Sequence, residues 1–212
     1  MLRHPFPVAI VVGVPGVGKS TVVDLSVKIL SGRGLRTVVL NYGDYMFKRL
    51  SLVGVVRSRD EIRGLPIRIQ VENQAEAARM MIRSASEELQ GSKGLLIVDT
   101  HLLIRTPSGY WPGLPLHVAQ ELKPDAIILI EASPEEILSR QARDKTRVRK
   151  DYADPAIIEE MMRMNRIEAL VVASFTGATV NIVYNREGEA EKAARELASI
   201  LENLIIEKMH HI

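Results

Sequence analysis

Cysteine is missing from this chain of 212 residues. Its absence excludes disulfide staples and thiolate zinc sites, and it leaves the redox compartment unmarked. Aromatic residues make up only 4% of the chain, so the core has to be built from branched aliphatics. No apolar run approaches the roughly 20 residues that span a bilayer. Met1-Leu2-Arg3-His4-Pro5 runs directly into an apolar stretch without the pattern of a secretory leader, and none is expected. An excess of one charge is also lacking. Lys and Arg together number 28, Asp and Glu 26, and the formal net charge is +2. That balance gives no case for nucleic acid or a membrane surface as a partner, and the expected location is cytoplasmic. Asn and Gln are scarce beside many Arg and Glu, which points to a hot habitat. Repeats and low-complexity tracts are not visible.

What is present centres on Gly13-Val14-Pro15-Gly16-Val17-Gly18-Lys19-Ser20-Thr21. The spacing is G-x-x-x-x-G-K-S, preceded by the apolar run Val8–Val12 and followed by an amphipathic stretch from Ser20 to Leu30. Glycines let such a loop curl so that successive amides face a concavity, and the following helix adds partial positive charge there. Lys19 is placed to reach the β- and γ-phosphates of a nucleoside triphosphate, and the Ser20 hydroxyl to ligate Mg²⁺.

Five strands are predicted by branched apolar runs at Val8–Val14, Arg36–Tyr42, Gly94–Thr100, Ala126–Ala132 and Thr179–Asn185. Helical patterns separate them, which predicts an α/β fold of the P-loop NTPase class with helices on both faces of a five-stranded parallel sheet. Asp44 is expected to cap a helix through Leu52; a short charged helix covers Arg59–Gly64, and a long one follows Leu65-Pro66 through Gln90. Ser133-Pro134-Glu135-Glu136 and Asp154-Pro155 read as helix starts. The chain is expected to be one domain. Residues 1–43, 91–139 and 151–212 form its core, about 44–90 an inserted lobe, and about 140–150 a short lid.

Further polar groups fall at the carboxyl ends of the strands, where ligands gather in open sheets. Asp99, closing the third strand, is a candidate to hold Mg²⁺ through a bound water; the alternative is a carboxylate that caps the next segment. Arg140, Arg143 and Arg147 share a helical face if the helix persists, with Arg149 beyond it. Planar guanidinium donors match the charge that spreads over the oxygens of a transferring phosphoryl group, although a salt-bridged surface helix would show the same spacing. A second basic set, Arg57, Arg59, Arg63 and Arg105, suits a second phosphorylated ligand, with a solvated turn as the reading preferred for Arg57. His101 reads as structural or as a hydrogen-bond partner of substrate, because a phosphate acceptor needs no base. The loop Ser108–Gly113 could line an acceptor pocket, and Trp111 could equally be a packing contact. The cluster Met161-Met162-Met164 reads as core, and His210-His211 as a frayed tail.

Asn41-Tyr42-Gly43-Asp44, Arg59-Asp60-Glu61-Ile62-Arg63, Asp99-Thr100-His101, Arg105–Pro115 and Arg140–Asp144, together with the phosphate loop, resemble the archaeal-type adenylate kinases. The resemblance covers nearly the whole chain. It implies reversible transfer between ATP and AMP with Mg²⁺, a nucleoside-monophosphate lobe in the insertion, a short lid, and a homotrimer. By the same resemblance Lys19 steadies the transferring group, Arg59 and Arg105 hold the AMP phosphate, and Arg140, Arg143 and Arg147 close over the phosphates; Arg63, Asp44 and Thr100 are further candidates for the AMP site. Two rivals fit the same residues. One is a kinase for another small acceptor such as CMP, UMP or shikimate; the other is an ATPase acting as a ribosome-assembly factor. A GTP-specific switch is disfavoured, because Ile130-Glu131-Ala132-Ser133 stands where a base-reading N-K-x-D segment would be.

Overall fold

The computed structural model describes residues 3–90, 92–106, 109–143 and 154–209. Its centre is a five-stranded parallel sheet in the order β2-β3-β1-β6-β7. The strands are β1 (Val8–Val12), β2 (Arg36–Asn41), β3 (Gly94–Asp99), β6 (Ala126–Glu131) and β7 (Thr179–Tyr184). The three central strands are buried on both faces, which is why they read as unbroken apolar runs. Alternate residues feed two cores. Val8, Ile10, Val12, Leu96 and Val98 face one side with α2 (Tyr42–Leu52), α3 (Ile67–Leu89) and α4 (Leu116–Leu122). Ala9, Val11, Leu95 and Ile97 face the other, against α1 (Lys19–Gly32) and α7 (Ala190–Met209). The remaining helices are α5 (Pro134–Arg143) and α6 (Pro155–Thr176). The latter serves both cores, through Ile158 and Met161 at one end and Ala169 and Val172 at the other. Met161 is thus a core residue.

The helix starts follow their sequence signals. Glu136 N–H donates to Ser133 Oγ at 3.2 Å and Ser133 N–H to Glu136 Oε2 at 2.8 Å, a reciprocal capping box. Asp154 accepts from Ala156 N–H at 2.8 Å. One cap differs. Helix α2 begins at Tyr42 and is capped by Asn41, whose Oδ1 accepts from Asp44 N–H at 3.2 Å; Asp44 sits inside the first turn. Strand and helix abut without a linker here, so the residue that closes β2 is also the one that opens α2.

Of the expected loop Ser108–Gly113, Ser108 lies outside the described residues and Gly109–Pro112 is strand β5, which forms an antiparallel hairpin with β4 (Leu103–Thr106), Arg105 opposite Tyr110. It leans on α6, where Tyr110 Oη donates to Glu160 Oε2 at 3.1 Å.

The N-terminal segment is fastened by Arg3. Its guanidinium donates to the carbonyls of Lys123 (3.2 Å), Thr176 and Gly177 (3.0 Å each), closing the C-terminal ends of α4 and α6, and it pairs with Asp125 at 3.3 Å. A cation at two helix C-termini satisfies carbonyls that helices leave unpaired. Arg3→Ala should cost about 1–2 kcal/mol, from loss of hydrogen bonds donated by a charged group at a partly exposed site. In a chain of this size that lowers the melting temperature by roughly 3–6 °C in a calorimetric scan, with turnover unchanged.

Candidate active site

The phosphate loop joins the buried end of β1 to the first turn of α1. At Gly13 an added Cβ would lie 2.8 Å from Val17 Cγ1 and 2.9 Å from the Ile130 carbonyl, so only glycine fits. Gly16 and Gly18 hold φ of +94° and +85°, the left-handed region that side chains avoid. Val14 and Val17 turn into the core and anchor the curl, with Val17 N–H donating to Val14 O at 3.2 Å.

Side chains of α5 and of the residue after β7 hold the loop carbonyls. Gln141 Nε2 donates to Pro15 O at 2.6 Å, while Arg140 Nη1 and Asn185 Nδ2 donate to Val17 O at 3.0 and 2.7 Å. Among the described residues no backbone carbonyl accepts from the amides of Gly16, Gly18 or Lys19. Carbonyls already engaged and amides left over make a donor set for an anion, reinforced by the N-terminus of α1.

Lys19 opens α1 and crosses to the end of β3. Its ammonium is ion-paired with Asp99 and donates to Thr100 O at 3.3 Å. Burial pushes Lys19 down to about 8, and the Asp99 carboxylate beside it acts in the opposite sense. Parallel pairing sets Asp99 beside both Val11 and Asn41, which brings the tips of β1, β2 and β3 together. Asn41 Nδ2 donates to Asp99 Oδ2 at 2.9 Å, and Asn41 Oδ1 accepts from Arg59 Nη2, also at 2.9 Å. Arg59 is ion-paired with Asp44 in turn. Gly43 leaves the space this guanidinium fills, since a Cβ there would collide with Arg59 Nη2. Lys19, Asp99, Asn41, Arg59 and Asp44 therefore form one continuous chain of polar contacts.

Ser20 and Thr21 are exposed in the first turn of α1, and Thr100 is buried with its carbonyl toward Lys19. Arg105 is half-buried on β4. Arg63 lies in a short 3₁₀ turn over Asp60–Gly64, and its side chain is outside the described set. Arg140, expected over the phosphates, is engaged with Val17 O, with Asn185 O at 2.9 Å and with Glu187 at 3.0 Å. Arg143 is exposed and pairs with the same Glu187 at 2.7 Å. Arg147, Arg149 and most of the expected lid lie outside the described residues.

Four residues of the site carried no functional expectation of their own: Asn41, Gln141, Asn185 and Glu187. Only Asn41 had a local signal, an amide at the junction of an apolar strand and a helix, the place where a side chain has to satisfy helix amides.

A family model described as an AAA domain matches residues 12–158. An adenylate kinase from Saccharolobus solfataricus is 47% identical over 194 residues, covering 92% of this chain and 98% of its own. Adenylate kinases from Methanopyrus kandleri and Methanocaldococcus jannaschii are 45% and 41% identical; they cover 93% and 92% of this chain and 98% and 97% of their own.

Proposed function

The chain belongs to the adenylate kinases and is a phosphotransferase with a phosphate acceptor; from that premise we propose that its donor is ATP, its acceptor AMP and its metal Mg²⁺. The observation that carries this reading is the polar chain from Lys19 through Asp99 and Asn41 to Arg59. It joins a triphosphate-binding loop to a second cationic group at the edge of the inserted lobe, as two phosphorylated ligands meeting end to end would require. ATP turnover screened against AMP, CMP, UMP and shikimate tests it. AMP should be used best by far, and equal use of another acceptor, or AMP-independent hydrolysis, would refute the assignment.

The metal fits the donor set. Ser20 offers a hydroxyl directly, and Asp99 a carboxylate that reaches the metal through a bound water. Mg²⁺ takes few protein ligands and keeps water and substrate phosphates for the rest. When bound, it supplies charge neutralisation at the phosphates.

The protein's own part is positioning and charge. Loop amides and Lys19 hold the donor phosphates. Arg59, Arg63 and Arg105, together with Asp44 and Thr100, hold the acceptor, whose phosphate oxygen is already ionised and needs no base. Arg140 steadies the loop through its hydrogen bond to Val17 O. Arg143 and Arg147 close over the phosphates, and closure excludes the water that would otherwise accept the phosphoryl group.

The lowered Lys19 has a measurable consequence. With its ordinary value brought down to about 8 by burial, the ammonium is partly neutral at pH 8.5. A polyphosphate beside it favours the charged form and raises the value again, so ATP binding at that pH should take up a proton. Calorimetric titrations in buffers of different ionisation enthalpy read the number directly. No uptake at pH 8.5, or a release, would refute the placement of Lys19 against the phosphates.

Helix α6 leaves Ile167, Leu170, Val171 and Phe175 exposed, the last at 63%. Their spacing puts them on one stripe, which supports a homo-oligomer, a trimer by family resemblance. No helix among the described residues is long and apolar enough to cross a membrane, and we place the enzyme in the cytoplasm.

A further inference from the structure

Asn41 lies between the two halves of the site, and its amide can point only one way. Nδ2 faces the Asp99 carboxylate at 2.9 Å; Oδ1 faces the Arg59 guanidinium at 2.9 Å and the Asp44 amide at 3.2 Å. Flipped, the side chain would set oxygen against carboxylate and NH₂ against two donors. Its orientation is therefore dictated jointly by a residue of the donor side and one of the acceptor side. The amide also occupies Asp99 Oδ2, leaving Oδ1 as the oxygen turned to Lys19.

We propose that Asn41 is a positioning residue for both substrates: its amide nitrogen sets which oxygen of Asp99 faces the phosphate loop, and its amide oxygen holds Arg59 in place for the acceptor phosphate. The proposal rests on the roles given above to Asp99 and Arg59. Partners that orient a ligating carboxylate are typically worth about 10–100-fold in metal affinity or activity. The competing account is that Asn41 does no more than cap α2.

Two substitutions separate these accounts. Asn41→Ser keeps a capping oxygen, since Ser caps about as well as Asn, but it is too short for the other two contacts. Asn41→Asp keeps the cap and an acceptor for Arg59 but sets a second carboxylate against Asp99. Asn41→Ser should melt within a few degrees of the parent, lose about 10–100-fold in kcat, raise KM for AMP about tenfold, and lose most of the Mg²⁺-dependent part of the thermal shift that ATP produces. Asn41→Asp should lower kcat while leaving KM for AMP within about threefold of the parent, because only the Asp99 contact is spoiled. The Mg²⁺-dependent thermal shift and a calorimetric Kd for AMP read the two contacts without turnover. Asn41→Ser with kcat, KM for AMP and the Mg²⁺-dependent shift all within twofold of the parent would reduce Asn41 to a cap and overturn the proposal. Asp99→Asn and Arg59→Ala, run alongside, test the underlying roles. If Asp99→Asn leaves the Mg²⁺ dependence intact, or Arg59→Ala leaves AMP binding intact, those roles fail and the proposal falls with them. If both controls respond and Asn41→Ser does not, the proposal alone fails.

Discussion

Lys19→Met should reduce kcat by roughly two to three orders of magnitude, with KM for ATP and AMP moving far less and the fold intact. The ammonium sits at a side chain only 12% exposed, at the head of α1, where few water molecules compete for the charge it faces. Fixed charges in such a site typically contribute about 3–4 kcal/mol to the transition state, and each 1.36 kcal/mol is about tenfold in rate. Much of that contribution belongs to the transition state, because negative charge on the transferring oxygens is redistributed as the bond to the donor loosens. Met preserves length and most of the volume, so packing around α1 is kept. The cost in stability is the ion pair with Asp99. It should be modest, because Asp99 is 23% exposed and keeps the Asn41 amide as a partner. A coupled assay of ADP formation reads the rate, and circular dichroism the melt. A variant that melts normally and still turns over within tenfold of the parent would remove Lys19 from the chemistry.

The sequence exposes some parts of this site far better than others, for physical reasons. Strands β1, β3 and β6 are buried on both faces, so nearly every residue in them has to be apolar and their runs are unmistakable. The loop announces itself because close packing at Gly13 and positive φ at Gly16 and Gly18 demand glycine at fixed spacing. The hairpin of β4 and β5 is hidden by contrast. Each strand has four residues, too few for alternation to show, and Gly109 and Pro112 look like loop chemistry. The tip of β2 is hidden for another reason. Asn41 has the same local pattern whether it caps a helix alone or also meets Asp99, and Asp99 is 58 residues away in sequence. Arg140 shows the same limit. Helical spacing groups it with Arg143, yet only the tertiary fold reveals that it braces Val17 O. Periodicity reports which face a residue occupies, and it is silent about which distant segment packs against that face.

On the acceptor side, Arg105→Ala should raise KM for AMP by about 100-fold and change KM for ATP by less than threefold. A guanidinium gripping a phosphate makes charge-assisted hydrogen bonds worth about 1.5–3 kcal/mol each, and two of them amount to two or more orders of magnitude in affinity. The side chain is presented from a backbone that has little freedom. Arg105 pairs with Tyr110 across the hairpin, Tyr110 Oη reaches Glu160 on α6, and Gly113 N–H closes the hairpin base on Leu102 O at 2.7 Å. A melting curve of Arg105→Ala, read beside the kinetics, separates loss of AMP affinity from any change in the hairpin. Arg105→Lys retains the charge and loses the fork, so it should recover only part of the affinity. Arg59→Ala should behave in the same direction at about tenfold, because AMP has to draw Arg59 from its ion pair with Asp44 and that exchange offsets part of the gain. Initial rates over a grid of both nucleotides separate the two constants. Equal rises for ATP and AMP in Arg105→Ala would mean that the guanidinium faces the transferring group from the donor side, and the assignment of the hairpin to the acceptor would have to be abandoned.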